Sequence, residues 1–151
     1  TSRMAMMYLA NWLEGFSRAT DFPLTCQYIS GRAVCIDAHS HINDALVRGG
    51  VAVVRLFYEV EHYALLTGVS KEHIYLFDPY YLAEAEQEFV RAGIEVTCDH
   101  PHSYNRVVPF ACFNREAREL YAFGAMESRE AVLLFDARTR RTADDTIEYF
   151  I

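Results

Sequence analysis

The sequence predicts an α+β fold in which an N-terminal helix packs on a mainly antiparallel sheet. Residues 2–14 consist of helix formers without Gly or Pro. The strand-like segments after them mostly follow one another across short turns, and the later helical segments do not alternate regularly with strands. The 151 residues, 52% of them hydrophobic, can form one core, so we predict a single domain over residues 1–151.

The predicted helices end at residues that favour helix termini. The first is expected to end at Gly15, because glycine commonly follows the last turn of a helix. Ser40 is a suitable N-cap for a second helix that runs to Arg48 and closes at Gly49-Gly50. Two further helices are predicted over residues 81–92 and 115–123. Strands are predicted over residues 26–29, 33–36, 51–60, 63–69, 73–77, 94–97, 107–113 and 131–135.

The composition argues against several classes of protein. The net charge of -7 and the pI near 5.3 argue against a nucleic-acid partner, because phosphate binding needs clustered Lys and Arg. No apolar run reaches the roughly 18 residues that a membrane-spanning helix needs, so no membrane partner is expected. We predict a cytoplasmic protein, because a core of this size needs no disulfides. The cysteines show no CxxC spacing, so neither a zinc ribbon nor a redox motif is indicated, and no cofactor is predicted. These cysteines are Cys26, Cys35, Cys98 and Cys112.

The most informative segment is EHYALLTGVSKEHIYLFDPYY, which holds His62 and Asp78 at a separation of 16 residues. It has the pattern of two strands joined by a short turn at Ser70-Lys71, with the imidazole at the start of one strand and the carboxylate at the end of the next. Antiparallel pairing brings such ends together. A carboxylate beside a histidine orients the ring for general-base catalysis, so we predict a catalytic His–Asp pair.

This segment, together with INDALVRGGVAVVRLF before it, resembles the second half of a papain-like cysteine peptidase domain. The closest type is the bacteriocin leader-processing (double-glycine) peptidases, in which a His opens HYxxLxG and an Asp-Pro closes the following strand. His62, Asp78 and Pro79 match those positions, and the good match covers about residues 42–81. The resemblance implies a papain-like fold and an acyl-transfer activity that uses His62 and Asp78.

The nucleophile of that family begins a long helix, in a pattern like CGPTSLAMVLNYL. Aligned without gaps, TSRMAMMYLANWL places Thr1 at the position of the catalytic cysteine. The family's cysteine and its upstream glutamine are both missing, which puts the thiol mechanism in doubt. A threonine hydroxyl needs a base, and an N-terminal α-amine with a pKa near 8 can act as one. We therefore predict that Thr1 is an N-terminal nucleophile produced by cleavage of a precursor, with self-cleavage as one route.

The remaining predicted site residues follow from this arrangement. Backbone N–H groups near Ser2 and Arg3, at the start of the helix, would stabilise an oxyanion. Tyr63 and Tyr80 flank the His–Asp pair and would line a groove for a peptide or small-molecule amide or acyl substrate. The segment cleaved before Thr1 is expected to remain bound as a second chain and to supply the missing oxyanion donor.

Four alternatives remain open at the level of sequence. Ser or Thr before a helix is also an ordinary N-cap, and a peptidase-like domain without activity would act as a binding module. Two His-x-His pairs could instead hold the metal of a metallohydrolase, although our main prediction includes no metal site. These pairs are His39 with His41 and His100 with His102. Cys35 is a second candidate nucleophile, with a buried strand cysteine as the simpler interpretation.

Overall fold

The computed structural model describes residues 2–136 and residue 138, and seven strands within them form one sheet. The strands are β1 (Leu24–Ser30), β2 (Val51–Tyr58), β3 (Val60–Val69), β4 (His73–Phe77), β5 (Glu95–Val96), β6 (Arg106–Pro109) and β7 (Glu130–Asp136). Their order is β1-β7-β2-β3-β4-β6-β5, and every described pair is antiparallel. The helices are α1 (Arg3–Thr20), α2 (His41–Val47), α3 (Gln87–Ala92) and α4 (Phe110–Phe113). The predicted α+β class, with an N-terminal helix on an antiparallel sheet, is confirmed.

The two faces of the sheet are covered by different layers. Buried and half-buried residues alternate along β2, because successive side chains of a strand point to opposite faces. Val54 and Leu56 face the larger core, to which α2 and α3 also contribute. The opposite face carries α1, which packs through Met6 and Ala10 on Val132 and its neighbours. The helix that begins the chain and the larger core therefore lie on opposite sides of the sheet.

The first helix is longer than predicted. Ser2 caps it by accepting a hydrogen bond from the Ala5 N–H at 3.2 Å, and it runs through Gly15 to Thr20. The expected end at Gly15 is wrong, because an internal glycine costs only about 1 kcal/mol of helix stability. Trp12 and Phe16 stack across this position with their ring centroids 5.5 Å apart.

The second helix and the central meander agree with the sequence prediction. Ser40 caps α2 by accepting the Asn43 N–H at 3.2 Å, and α2 leads directly into β2. The strands β2, β3 and β4 follow in sequence and pair as neighbours. A tight turn at Glu59, whose φ is 55°, joins the first two, and the predicted turn at Ser70 joins the next two.

Two predictions near the ends of strands are wrong. Residues 33–36 form no strand: a 3₁₀ turn covers Gly31–Ala33, and the backbone of Ile36 bonds instead to the side chain of Asn114. The strand predicted over 107–113 stops at Pro109, where α4 begins. Proline has no N–H to donate, so a four-residue helix follows it more readily than a continued strand.

Two helix predictions also need correction. The helix predicted over 81–92 forms only from Gln87, because the preceding residues cross from the end of β4 to the core, where Leu82 packs. Residues 115–123 form no helix. Their backbone bonds to other elements instead: Tyr121 donates its N–H to the Phe57 carbonyl, and Phe123 donates to that of Phe113. Across residues 2–136, each helix is too short or too polar to cross a lipid bilayer.

Candidate active site

The sheet brings His62 and Asp78 together. His62 pairs with Leu56 across β2 and β3, so its ring points to the larger core, and Asp78 follows the last residue of the neighbouring β4. The His62 Nε2 lies 2.9 Å from the Asp78 Oδ2, which is hydrogen-bonding distance. Antiparallel pairing and a short turn are enough to produce this geometry from two residues 16 positions apart.

Asp78 is fully buried and accepts several hydrogen bonds. The Tyr80 N–H donates to its Oδ1 at 2.8 Å, and the Tyr121 hydroxyl donates to its Oδ2 at 2.8 Å. Burial by itself raises the pKa of the Asp78 carboxyl, but the hydrogen bonds from His62, Tyr80 and Tyr121 outweigh it and hold the pKa below its ordinary value. The carboxylate is therefore ionised and fixed in orientation beside the imidazole.

The backbone of Asp78 is fixed as well. The Asn105 side chain accepts the Asp78 N–H at 2.8 Å and donates to the Asp78 carbonyl at 2.8 Å. The Asn105 amide thus bonds the backbone groups of Asp78 that a neighbouring strand would otherwise pair, just beyond the end of β4. The main chain that carries the carboxylate is therefore held in position from both its N–H and its carbonyl.

His62 lies at the edge of the core, with 19% of its side chain exposed. Its ring meets the rings of Tyr58 and Tyr121 with centroids 6.4 Å away in each case. Because Nε2 faces Asp78, Nδ1 is the ring nitrogen that can exchange a proton with a bound group. The geometry is that of a base held by a buried carboxylate.

A cleft of about 310 Å³ opens at His62. It is lined by Tyr58, Glu59, Val60, His62, Pro79 and Tyr80. A second cleft of about 500 Å³ shares Tyr58, Glu59 and Val60 with the first and continues past Glu88 and Arg118. The two clefts thus share one surface beside His62, and each has a volume in the range of small-ligand sites.

The two predicted tyrosines lie on different faces of the sheet. Tyr80 lines the cleft beside His62, and its ring packs edge-on against Tyr58 with centroids 5.3 Å apart. Tyr63 follows His62 directly in β3, so its side chain points to the opposite face. Its hydroxyl donates to the buried Glu130 at 2.7 Å, so Tyr63 does not line the cleft.

The predicted oxyanion residues belong to α1 and its cap, on the face opposite His62. Ser2 is the N-cap of this helix, and the guanidinium of Arg3 donates to the Glu127 carbonyl. The structure does not bring either residue into the cleft. Thr1, the predicted nucleophile, lies outside the described residues.

The other candidate groups lie apart from the cleft. No set of three or more His, Cys, Asp or Glu residues in the described part of the chain could hold a metal ion. His100 stacks on Tyr104 with ring centroids 4.3 Å apart. Burial raises the pKa of the Cys35 thiol, and its contact with Asp37 raises it further, which is the opposite of what a thiolate nucleophile requires.

Sequence reasoning missed three residues that hold the pair in place: Asn105, Arg106 and Tyr121. Arg106 is buried and donates to the Tyr80 carbonyl at 2.9 Å, which anchors the segment after Asp78. No spacing in the sequence indicates these contacts. Tyr121 in particular falls within residues that have a helical pattern.

Comparison of the chain with protein-family models, with curated proteins and with solved structures finds no match. A functional assignment therefore has to come from the geometry of the site.

Proposed function

We propose that this chain is an acyl-transfer enzyme on a papain-like frame, which hydrolyses an amide or peptide bond or passes the acyl group to an amine. One observation carries the proposal: a buried, ionised Asp78 bonds His62 at 2.9 Å, at the mouth of a cleft. A buried carboxylate is costly to maintain, and orienting a catalytic imidazole is a well-known use for one. The resemblance of residues 42–81 to leader-processing peptidases supports the same chemistry.

In the proposed reaction, His62 accepts the proton of the attacking nucleophile at Nδ1 as the nucleophile bonds to the acyl carbon. Asp78 holds the proton on Nε2 and stabilises the imidazolium that forms. The tetrahedral intermediate then expels the amine, which takes the proton back from Nδ1. Water or an acceptor amine repeats the sequence on the acyl-enzyme and restores the starting state.

The identity of the nucleophile stays a prediction, with Thr1 as the sequence candidate. Attack by its hydroxyl would leave an ester, with the proton carried by His62 or by the α-amine. Since α1 packs on the face opposite His62, the alternative is a nucleophile that enters through the cleft. Intact-mass measurement during turnover of a p-nitrophenyl ester separates the two: an adduct that Thr1→Ala abolishes identifies Thr1, whereas turnover without an adduct indicates a nucleophile that enters through the cleft.

The acyl-transfer proposal is tested with p-nitrophenyl esters and acyl p-nitroanilides on the wild-type chain and two variants. We expect His62→Gln and Asp78→Asn each to lower kcat/KM by about 100-fold or more, because base strength and ring orientation are both lost. His39→Gln is the matched control, since His39 is exposed and outside the cleft. Full activity in folded His62→Gln protein would rule out the mechanism. A folded wild-type chain with neither turnover nor adduct would favour the inactive binding domain.

A further inference from the structure

A third side chain, Tyr121, contacts the His–Asp pair at the Asp78 oxygen that bonds His62. The Tyr121 hydroxyl donates to Asp78 Oδ2 at 2.8 Å, and the same oxygen lies 2.9 Å from His62 Nε2. Tyr121 has no solvent exposure. A buried hydroxyl with a charged acceptor makes a strong and directional hydrogen bond.

The backbone of Tyr121 is held in a conformation that tyrosine rarely adopts. Its φ is 58°, in the left-handed region, and its N–H donates to the Phe57 carbonyl at 2.6 Å. Such a conformation persists only where the surroundings fix it, and it costs on the order of 1 kcal/mol or more. The ring is fixed by edge contacts with Tyr58 and Phe89 at 6.4 and 5.7 Å. Backbone and ring together aim the hydroxyl at Asp78.

A buried cation lies near Tyr121. Arg106 is 1% exposed, and its guanidinium donates to the carbonyls of Asn105 and Tyr80. Its Nε has no partner among the described residues. Burial and the charge of Asp78 raise the pKa of Tyr121, and the charge of Arg106 opposes them, so the phenol stays neutral and remains a donor.

We propose that Tyr121 is a positioning residue for the reaction, acting on His62 through Asp78. Its hydroxyl withdraws charge from the carboxylate oxygen that faces the imidazole and prevents the carboxylate from turning about its Cβ–Cγ bond. His62 is thereby kept in one orientation, in which the Nδ1 lone pair can accept a proton. The role rests on the proposed function, because positioning matters only where His62 acts as the base.

Tyr121→Phe removes this hydroxyl while keeping the ring. We expect kcat to fall about tenfold with little change in KM, because substrate contacts are untouched. The proton between His62 Nε2 and Asp78 gives an independent NMR signal. In Tyr121→Phe it should move further downfield, as Oδ2 then serves one donor, or broaden through exchange with water as the ring loosens.

Tyr28→Phe is the matched control, because it also deletes a hydroxyl bonded to a buried carboxylate, here Glu130 on the opposite face. It should leave both the His62 proton signal and kcat unchanged. An unaltered signal and kcat in folded Tyr121→Phe protein would overturn the positioning role. If the signal moves while no form of the chain turns over substrate, the contact stands and the acyl-transfer proposal fails.

The wild-type chain offers a check that does not depend on the variant folding. With tyrosine labelled at Cζ, Tyr121 should remain neutral at the pH of about 10 where an unperturbed phenol ionises, because it is buried beside Asp78. Ionisation of Tyr121 at that pH would show that the buried contact is absent.

Discussion

At the scale of single residues, the main feature is a carboxylate that keeps its charge without access to solvent. Three donors surround the Asp78 side chain: the His62 ring, the Tyr80 N–H and the Tyr121 hydroxyl. Each compensates part of the water lost on burial. The same bonds that orient the group therefore also tie the stability of the fold to its ionisation.

This coupling predicts a dependence of stability on acid. The pKa of Asp78 is lower in the folded state than its ordinary 3.8. The ionised group then contributes stability that is fully present above that ordinary value and is lost as the pH falls through the folded-state value. Urea unfolding at a series of pH values between neutral and about pH 2 measures it. We expect Asp78→Asn to be less stable at neutral pH and to lose less stability on acidification.

The prediction would be contradicted if the free energy of unfolding changed equally with pH in the wild type and in Asp78→Asn. Asp44→Asn is a suitable control, since Asp44 forms an exposed i,i+4 pair with Arg48. Such pairs contribute little to stability, so this variant shows the effect of replacing a surface carboxylate by an amide.

The residue scale also shows what the sequence could and could not predict. The pairing of His62 with Asp78 could be predicted, because a short turn between two adjacent strands is enough to bring residues at this spacing together. The position of Tyr63 follows from the same alternation, since adjacent residues of a strand face opposite sides. The role of Tyr121 could not be predicted, because its contact with Asp78 spans 43 residues and depends on backbone bonds to β2.

At the scale of elements, α1 continues through a glycine that sequence reasoning takes as its end. A Cβ at Gly15 would meet no atom within 4 Å. We therefore expect Gly15→Ala to stabilise the fold by about 0.5–1 kcal/mol, because alanine has the higher helix propensity. Chemical unfolding measures the change. A loss of stability would mean that the helix ends here in a left-handed turn.

Gly124 provides the opposite case, at the end of the segment that carries Tyr121. Its φ is 75°, and an added Cβ would lie 2.4 Å from Cε2 of Phe57. Gly124→Ala should therefore destabilise the fold by at least about 1–2 kcal/mol. The same unfolding experiment compares the two variants, and a neutral Gly124→Ala would show that the segment packs more loosely on β2.

Elements stabilised by their own neighbours were predictable, and those stabilised by distant strands were not. The Ser40 cap and the turn at Ser70 each close a bond within three residues. The segment 115–123 has helical composition, but its backbone bonds to Phe57 and Phe113 decide its course. Propensity is a weak guide where such tertiary bonds compete.

At the scale of the whole molecule, one sheet separates two cores of unequal size. The larger core contains Leu66, which is completely buried, whereas α1 is held mainly by the smaller cluster around Met6. We expect Leu66→Ala to cost about 2–5 kcal/mol of unfolding free energy, and Met6→Ala to cost less because Met6 is 8% exposed and packs mostly on partly buried residues. Denaturant unfolding of both variants tests the order. If Met6→Ala lost more unfolding free energy than Leu66→Ala, the packing of α1 would be the larger source of stability.

The position of β7 has a consequence for how the chain folds during synthesis. β7 is the last described strand to leave the ribosome, yet it lies between β1 and β2 and, within the part of the chain that the structure describes, is the only strand that pairs with β1. Until it emerges, β1 has no ladder, and one edge of β2 carries unpaired backbone groups that invite aggregation. The local meander from β2 to β4 can form first, and the N-terminal half must wait for residues more than 100 positions away. Stalled nascent chains ending before Glu130 should therefore remain protease-sensitive at β1, and protection should appear only once β7 is outside the exit tunnel.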